Sequence, residues 1–328
     1  MSSLDLADID IQDRRLQAYN DYKPIPLHRP QAVMGVPALK KGVVCVDALF
    51  IPSTDADSEA FQCRVVEEDA LTLNVQGVGH YTLMWTPTAH DTTTQGYTLE
   101  DGLLGDEEQP EGLCLAMGFA LSEGLIESLA DIKSLSVCPD HPKVVQLQLH
   151  RPERVKTARK NVVINSSCGI CGPREILEDN VLNLQGVANS LRVSHGQFAQ
   201  LMAQMREGQQ IFEQTGGSHA AAIFDQSGQV LAVAEDLGRH NALDKSIGMV
   251  LLHRGDVTGC GVVLSSRLSL EMVLKAVRTG LQMMLAVSAP TSLAIEVADK
   301  FGVTLCGFVR ERRATVYTHP QRVLSKHR

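Results

Sequence analysis

Apolar and polar positions follow two different rhythms along this chain, and the change falls near its middle. Between Val43 and Leu149 the apolar residues come in short runs or in alternation, as in "GVVCVDALFI", "LTLNVQG", "HYTLMWT", "SLSVCPD" and "KVVQLQLH", which is the two-residue period of strands. The turn signal from Gly77 to Gly79 predicts that "LTLNVQG" and "HYTLMWT" form a hairpin. One stretch in this half, "LCLAMGFALSEGLIESL", spaces its apolar residues as a helix does and breaks around Gly124. Ahead of it all, Pro24, Pro26, Pro30 and Pro37 interrupt any periodic pattern, so residues 1–40 read as an irregular arm.

In the second half strands alternate with helices. "LRVSHGQFAQLMAQMREGQQIF" predicts one helix with Leu191, Phe198, Leu201 and Met205 near a common face. "AAAIFD" and "VLAVAED" flank the Ser227-Gly228 turn as a strand pair, and "RHNALDKSIGMVLLHR" follows as a helix. Strands "GCGVVLSS", "MMLAVSA" and "VTLCGFVR" then alternate with two helices. The first runs from an N-cap at Ser269 to a stop at Gly280; the second, "PTSLAIEVADKFG", has proline in its first turn and glycine at its C-cap. The expected class is α/β (α+β overall): a β-rich N-terminal domain over 41–160, a linking loop over 161–185, and an α/β domain over 186–328.

Composition narrows the function classes. Of 328 residues, 44% are apolar and 21% charged, ordinary globular usage with no apolar run near the length of a bilayer span. The N-terminus lacks a basic-then-apolar leader pattern, so a cytoplasmic location is expected. A net charge of −8 argues against general binding to nucleic acid or to a membrane surface. The charge is uneven, however. Residues 91–111 hold seven acids and no lysine or arginine, and read as an inserted surface loop too charged to bury. "RPERVKTARK" (151–160) and the tail from Arg310 to Arg328 are basic, which would suit an anionic ligand held nearby.

Eight cysteines in a reducing compartment argue for buried, reactive or metal-binding thiols in place of structural disulfides. Cys45, Cys63, Cys114, Cys138, Cys260 and Cys306 sit singly, mostly among apolar neighbours, and read as small hydrophobes. Cys168 and Cys171 differ: "NSSCGICGPRE" spaces them as CxxC, with Gly169 and Gly172 giving the backbone freedom and Pro173 opening a short helix. A structural zinc site wants a second close pair, which is missing. Zinc-dependent deamination wants a glutamate two positions after its histidine, where "GGSHAAA" has Ala221. Redox cycling and carriage of sulfur as a persulfide both remain open on spacing alone.

Six blocks in one order, "NSSCGICG", "TGGSHAAAIFD", "EDLGRHNALDK", "SSRLSLEMVLKA", "SAPTSLAIEVA" and "TLCGFVRERRATVYT", resemble the formate dehydrogenase accessory sulfurtransferase family, FdhD, with a likeness running from about Glu68 to His319. The resemblance implies a cytidine deaminase-like layered C-terminal domain without deaminase chemistry. It implies a sulfurtransferase that takes sulfur from a cysteine desulfurase onto Cys168, with Cys171 assisting. The sulfur passes to the bis(molybdopterin guanine dinucleotide) molybdenum cofactor of formate dehydrogenase, and no permanently bound metal is expected. A homodimer is implied as well. Alternatives are a non-catalytic chaperone for that cofactor and a dithiol redox protein.

By the same resemblance Phe308, Val309, Arg310, Glu311, Arg312 and Arg313 match the cofactor-binding stretch, and guanidinium forks suit phosphates. Gly216 and Gly217 would let backbone amides approach a phosphate or pterin. His219, Arg239 and His240 are expected to line the cleft, joined by Ser265, Ser266 and Arg267 after a buried strand. Glu235, Asp236, Asp244 and Lys245 crowd the same block and read as a charged helix start capped by Asp236 or Asn241. Two features depart from the family pattern: the acidic insertion, and Leu281-Gln282 where isoleucine and proline are usual.

Overall fold

The computed structural model describes residues 39–53, 57–88, 110–138, 141–155, 162–164 and 184–324. The arm over 1–40 therefore lies outside the described residues except for its last two positions, as do nearly all of the acidic insertion and both CxxC cysteines. The described chain divides into two units. The smaller, residues 46–63, is built on the ribbon of β1 (Val43–Phe50) and β2 (Glu59–Val66).

The larger unit holds two large sheets and a two-stranded one. The first contains β3 (Asp69–Val75), β4 (Gly79–Trp85), β5 (Ile132–Cys138), β6 (His141–Leu149) and β7 (Val162–Ile164) in the order β5-β6-β3-β4-β7. The expected hairpin is β3-β4, paired antiparallel from Asp69↔Trp85 to Val75↔Gly79. Alternation along β3 and β4 sends Leu71, Leu73, Tyr81 and Leu83 inward. Against this sheet lies α1 (Glu111–Ser122), every residue of which is buried, ending as expected before Gly124, whose φ of 74° suits glycine alone.

The second half begins with β8 (Val193–Ser194), α2 (Gln197–Glu207) and α3 (Gln210–Thr215), and continues with β9 (His219–Phe224), β10 (Val230–Asp236) and α4 (Arg239–Arg254). After these come β11 (Gly261–Leu264), α5 (Leu270–Thr279), β12 (Met283–Ala286), α6 (Ser292–Phe301), β13 (Thr304–Arg310), β14 (Arg313–Thr318) and β15 (Val323–Leu324). β15 pairs in parallel with β8, and six strands form a mixed sheet in the order β10-β9-β11-β12-β13-β14. Its two faces follow the strand period. Ala221, Ile223, Val262, Leu264, Met284 and Leu305 pack with α4, α5 and α6. Ala220, Ala222, Phe224, Val263, Leu285 and Cys306 pack with Phe198, Leu201 and Met205 of α2. The α/β class expected from the sequence holds, with helices on both faces of this sheet. Among the described residues no helix is long and apolar enough to cross a membrane.

Several local expectations need correction. The helix expected over 191–212 is two helices and a short strand, because the chain breaks at Gly208, where a Cβ would stand 2.5 Å from Val233 Cγ1. The N-cap of α4 is Gly238, not Asp236 or Asn241, whose side chains bond to each other. Pro290 precedes the Thr291 N-cap of α6 instead of opening its first turn; the Thr291 hydroxyl accepts from the Ala294 amide at 3.3 Å. Gln282, one of the departures from the family pattern, is fully buried and accepts from the amides of Ser190 and Leu191, tying that segment to the sheet.

The sheets on either side of the expected 161–185 link share one apolar core, and α1 crosses α4 inside it. The crossing is backbone on backbone: a Cβ on Gly118 would stand 1.7 Å from Asp244 O, and one on Gly248 would stand 1.8 Å from Cys114 O. Gly118→Ala or Gly248→Ala must force the helices apart, so each is expected to lower unfolding free energy by roughly 3 kcal/mol or more, or to prevent folding. In contrast, the same change at Gly112, where a Cβ meets nothing closer than 3.4 Å, is expected to be neutral or to stabilise by up to about 1 kcal/mol through helix propensity. Urea unfolding of the three variants checks the contrast; equal effects would refute the close crossing.

Candidate functional site

β10 and β11 run in the same direction, β9 runs against both, and β11, β12 and β13 are parallel. One edge of the sheet therefore collects the start of β9, the ends of β10, β11, β12 and β13, and the N-termini of α4, α5 and α6. Every described residue expected at the site lies on this edge. Gly216, Gly217 and His219 lead into β9; Arg239 and His240 open α4; Ser265, Ser266 and Arg267 follow β11; and Phe308 to Arg313 form the β13–β14 turn. Amide groups at helix starts and several arginines there make the edge electropositive.

The His219 group is the tightest part. The ring is half-buried, its Nδ1 lies 3.4 Å from Ser265 Oγ, and Ser265 Oγ accepts from the Ala220 amide at 2.9 Å. Burial lowers the His219 pKa, and the positive charges of Arg239, His240 and Arg267 press it the same way, against the opposing pull of Asp236. His240 Nε2 lies 2.9 Å from Glu271 Oε2, which bridges the first turns of α4 and α5. Arg239 Nε is a buried donor without a partner among the described residues, and so is the Ser269 hydroxyl, which makes no side-chain capping bond at the start of α5. Donors left open beside a cationic edge are what an oxyanion ligand would satisfy.

The turn at Phe308 lies farther along. Three strand spacings separate β9 from β13, roughly 14 Å. Phe308 is 45% exposed and has a φ of 52°, an uncommon conformation for a residue with a side chain. Its amide donates to Ser288 O, and Gly307 beside it packs on Pro290 and Ser288. Val309 is fully buried, so its side chain faces the core. Arg310 donates to the carbonyls of Val287 and Val309, while Glu311, Arg312 and Arg313 are exposed.

Buried acids hold the edge in place. Both Glu235 oxygens take amides at the start of α3, from Ile211 and Phe212, and one also accepts from Ser218, which fixes the chain leading to His219. Asp236, fully buried, accepts from the amides of Thr86 and Gly238, from Asn241 and from Lys245. Lys245 is also fully buried. It pairs with Asp236 at 2.8 Å and Glu111 at 2.9 Å, donates to the carbonyls of Thr86 and Glu235, and lies 4.9 Å from the Trp85 ring. Burial draws its pKa down, but Asp236 and Glu111 outweigh that and leave it raised. A second set joins Lys275 to Asp244 and Glu123, each at 2.8 Å.

The expected charged helix start is thus a buried ion-pair network, and Glu111 corrects the expectation that the acidic stretch is too charged to bury. Sequence reading also missed Glu271, whose partner is distant along the chain and which carries no local signal. Of the thiols expected to be buried, Cys114, Cys260 and Cys306 are, and burial pushes them up to about 12, 11 and 12, so they stay protonated. Cys45 is exposed and Cys63 half-buried, contrary to expectation. Cys168 and Cys171 lie outside the described residues.

Comparison with known proteins agrees with the blocks along this edge. The FdhD/NarQ family model matches residues 111–324. A curated relative from Bordetella petrii, named sulfur carrier protein FdhD, is 34% identical over 305 residues, covering 92% of this chain and 97% of its own. Another of the same name from Sulfurisphaera tokodaii is 40% identical over 211 residues, 64% of this chain and 79% of its own. In fold, the chain is similar to the crystal structure of a formate dehydrogenase accessory protein from Desulfotalea psychrophila, with a TM-score of 0.64 at 20% identity over 86% of this chain and 99% of that one. On the extent of the family match and the identity to full-length relatives, the chain belongs to the FdhD/NarQ family.

Proposed function

We propose that this chain is a sulfur carrier in formate dehydrogenase maturation. It accepts sulfur from a cysteine desulfurase as a persulfide on Cys168 and gives it to the bis(molybdopterin guanine dinucleotide) molybdenum cofactor, its substrate, in the cytoplasm. The observation that carries the ligand half is the single sheet edge that gathers three helix N-termini with Arg239, Arg267 and the exposed arginines of the β13–β14 turn. A ligand with two nucleotide arms and several phosphates would use the whole length of such an edge. The names carried by the relatives support the sulfur half.

Residues on this edge fit the group by donor chemistry: Arg239 Nε and the Ser269 hydroxyl are open, and Gly216 has no atom within 4 Å of its Cβ position. Arg312 and Arg313 would hold phosphates, and Phe308 would offer a ring face to a base. When bound, the cofactor supplies the metal that receives the sulfur.

The transfer balances within the thiol pair. Attack of the Cys171 thiolate on the inner sulfur of the Cys168 persulfide forms a Cys168–Cys171 disulfide and breaks the bond to the outer sulfur. That sulfur leaves as hydrosulfide carrying the electron pair, and a dithiol reductant reopens the disulfide. The buried thiols raised to about 11 and 12 supply too little thiolate to compete.

Incubating the protein with a cysteine desulfurase and cysteine, then weighing the intact chain, is expected to show an added sulfur that Cys168→Ala removes. Replacing Arg312 and Arg313 together by alanine is expected to weaken binding of guanosine diphosphate about tenfold or more, read by calorimetry. Cys168→Ala protein that still supports formate oxidation in a complementation assay would refute sulfur transfer and leave a cofactor holder.

A further inference from the structure

Seven residues around the start of β9 describe a histidine with a defined proton. Ser265 Oγ accepts from the Ala220 amide, and among the described residues the only acceptor within reach of its own hydrogen is His219 Nδ1, at 3.4 Å. When Ser265 gives that hydrogen to Nδ1, the accepting nitrogen carries none of its own, and the hydrogen of the neutral ring sits on Nε2. Nε2 itself has no partner among the described residues. The charged groups facing the ring are Arg239 and His240 of α4, Asp236 at the end of β10 and Arg267 after β11, three of them able to carry positive charge and one negative.

We propose that His219 meets the ligand as an uncharged Nε2–H donor, its tautomer set by Ser265, and that it recognises an acceptor oxygen of the ligand's phosphates. This rests on the dinucleotide reading above and assigns His219 a specificity-determining role within it. The arginines of the edge attract any anion, whereas a fixed N–H selects by position. A positive charge on His219 beside Arg239 and Arg267 would add repulsion and lose the acceptor that Ser265 uses. Consistent with this, burial and those same cations hold His219 below the ordinary histidine range.

That direction fixes the pH behaviour. A histidine whose folded pKa is depressed binds its proton more readily when unfolded. Its contribution is therefore present above the ordinary value, near 6.5, and declines as pH falls towards the folded one. Ligand affinity contributed by His219 is accordingly expected to be flat between about pH 6.5 and 8.

Long-range nitrogen–proton NMR of the full chain, labelled in its histidines, tests the tautomer: His219 is expected with Nε2 protonated and Nδ1 bare at pH 7. An Nδ1–H form, or a doubly protonated ring at that pH, would overturn the inference. Calorimetry with guanosine diphosphate, and with inorganic pyrophosphate as competitor, tests the role. His219→Gln, which keeps an N–H near the Nε2 position, is expected to bind within about threefold of wild type. His219→Asn, whose amide reaches only the Nδ1 position, is expected to lose about tenfold for both probes. Unchanged affinity in His219→Asn, with wild type binding normally, overturns the inference and leaves the dinucleotide reading standing. Wild type that binds neither probe overturns that reading, and the ligand role of His219 with it.

Discussion

Two ammonium groups buried at the crossing of α1 and α4 set the terms for the rest of the larger unit. Lys245 and Lys275 are both removed from water, and each stands between two carboxylates: Asp236 and Glu111 for the first, Asp244 and Glu123 for the second. Removing either lysine would leave buried acids uncompensated, at a cost on the order of 3–5 kcal/mol. Such pairs tolerate little displacement, and α1 and α4, which carry Glu111, Asp244 and Lys245, are held in direct backbone contact at Gly118 and Gly248. Charge and shape therefore fix one registration of α1 on α4. Because Thr88 donates its amide to Glu111 and Thr86 donates its amide to Asp236, that registration extends to the strand sheet through the end of β4.

The candidate edge inherits this rigidity. Asp236 is at once the partner of Lys245 and the acceptor for the Gly238 amide at the start of α4, the helix that presents Arg239 and His240. Glu235, its neighbour, faces the other way along β10 and binds the turn before His219. Two consecutive acids thus anchor the two sides of the His219 group. Both are buried and fully engaged, so they stabilise the edge without cancelling its positive field at the surface, where Arg267 and the β13–β14 arginines are exposed.

How much of this was legible depends on which residues had local partners. Helix α4 spans the stretch from Arg239 to Arg254 that its apolar content and flanking breaks predicted, and Gly280 and Gly302 stop α5 and α6 as left-handed caps. Periodicity failed where tertiary contact decides: α2 ends at Gly208, where only a residue without a Cβ fits against Val233 of β10, and β8 is a strand by its pairing with β15. The candidate site was legible as a set of residue types but not as a mechanism of support. Asp236, Asp244 and Lys245 read only as a charged helix start because local sequence carries no sign of Glu111 or Lys275, the nearer of which, Lys275, lies 31 positions from Asp244. Glu271 was invisible for the same reason.

A neutral histidine in the middle of a cationic edge then has a physical rationale. Charge–charge attraction falls slowly with distance and is the same for any anion of equal charge, so arginines gather ligands without sorting them. A hydrogen bond weakens steeply with distance and angle, so one donor held in a fixed direction distinguishes a ligand whose oxygen lies at that point. If His219 were charged, its contribution would merge into the common field and vary with pH near neutrality. Kept neutral by burial and by Arg239, and oriented through Ser265 and the Ala220 amide, it would add a directional term that the surrounding cations cannot supply.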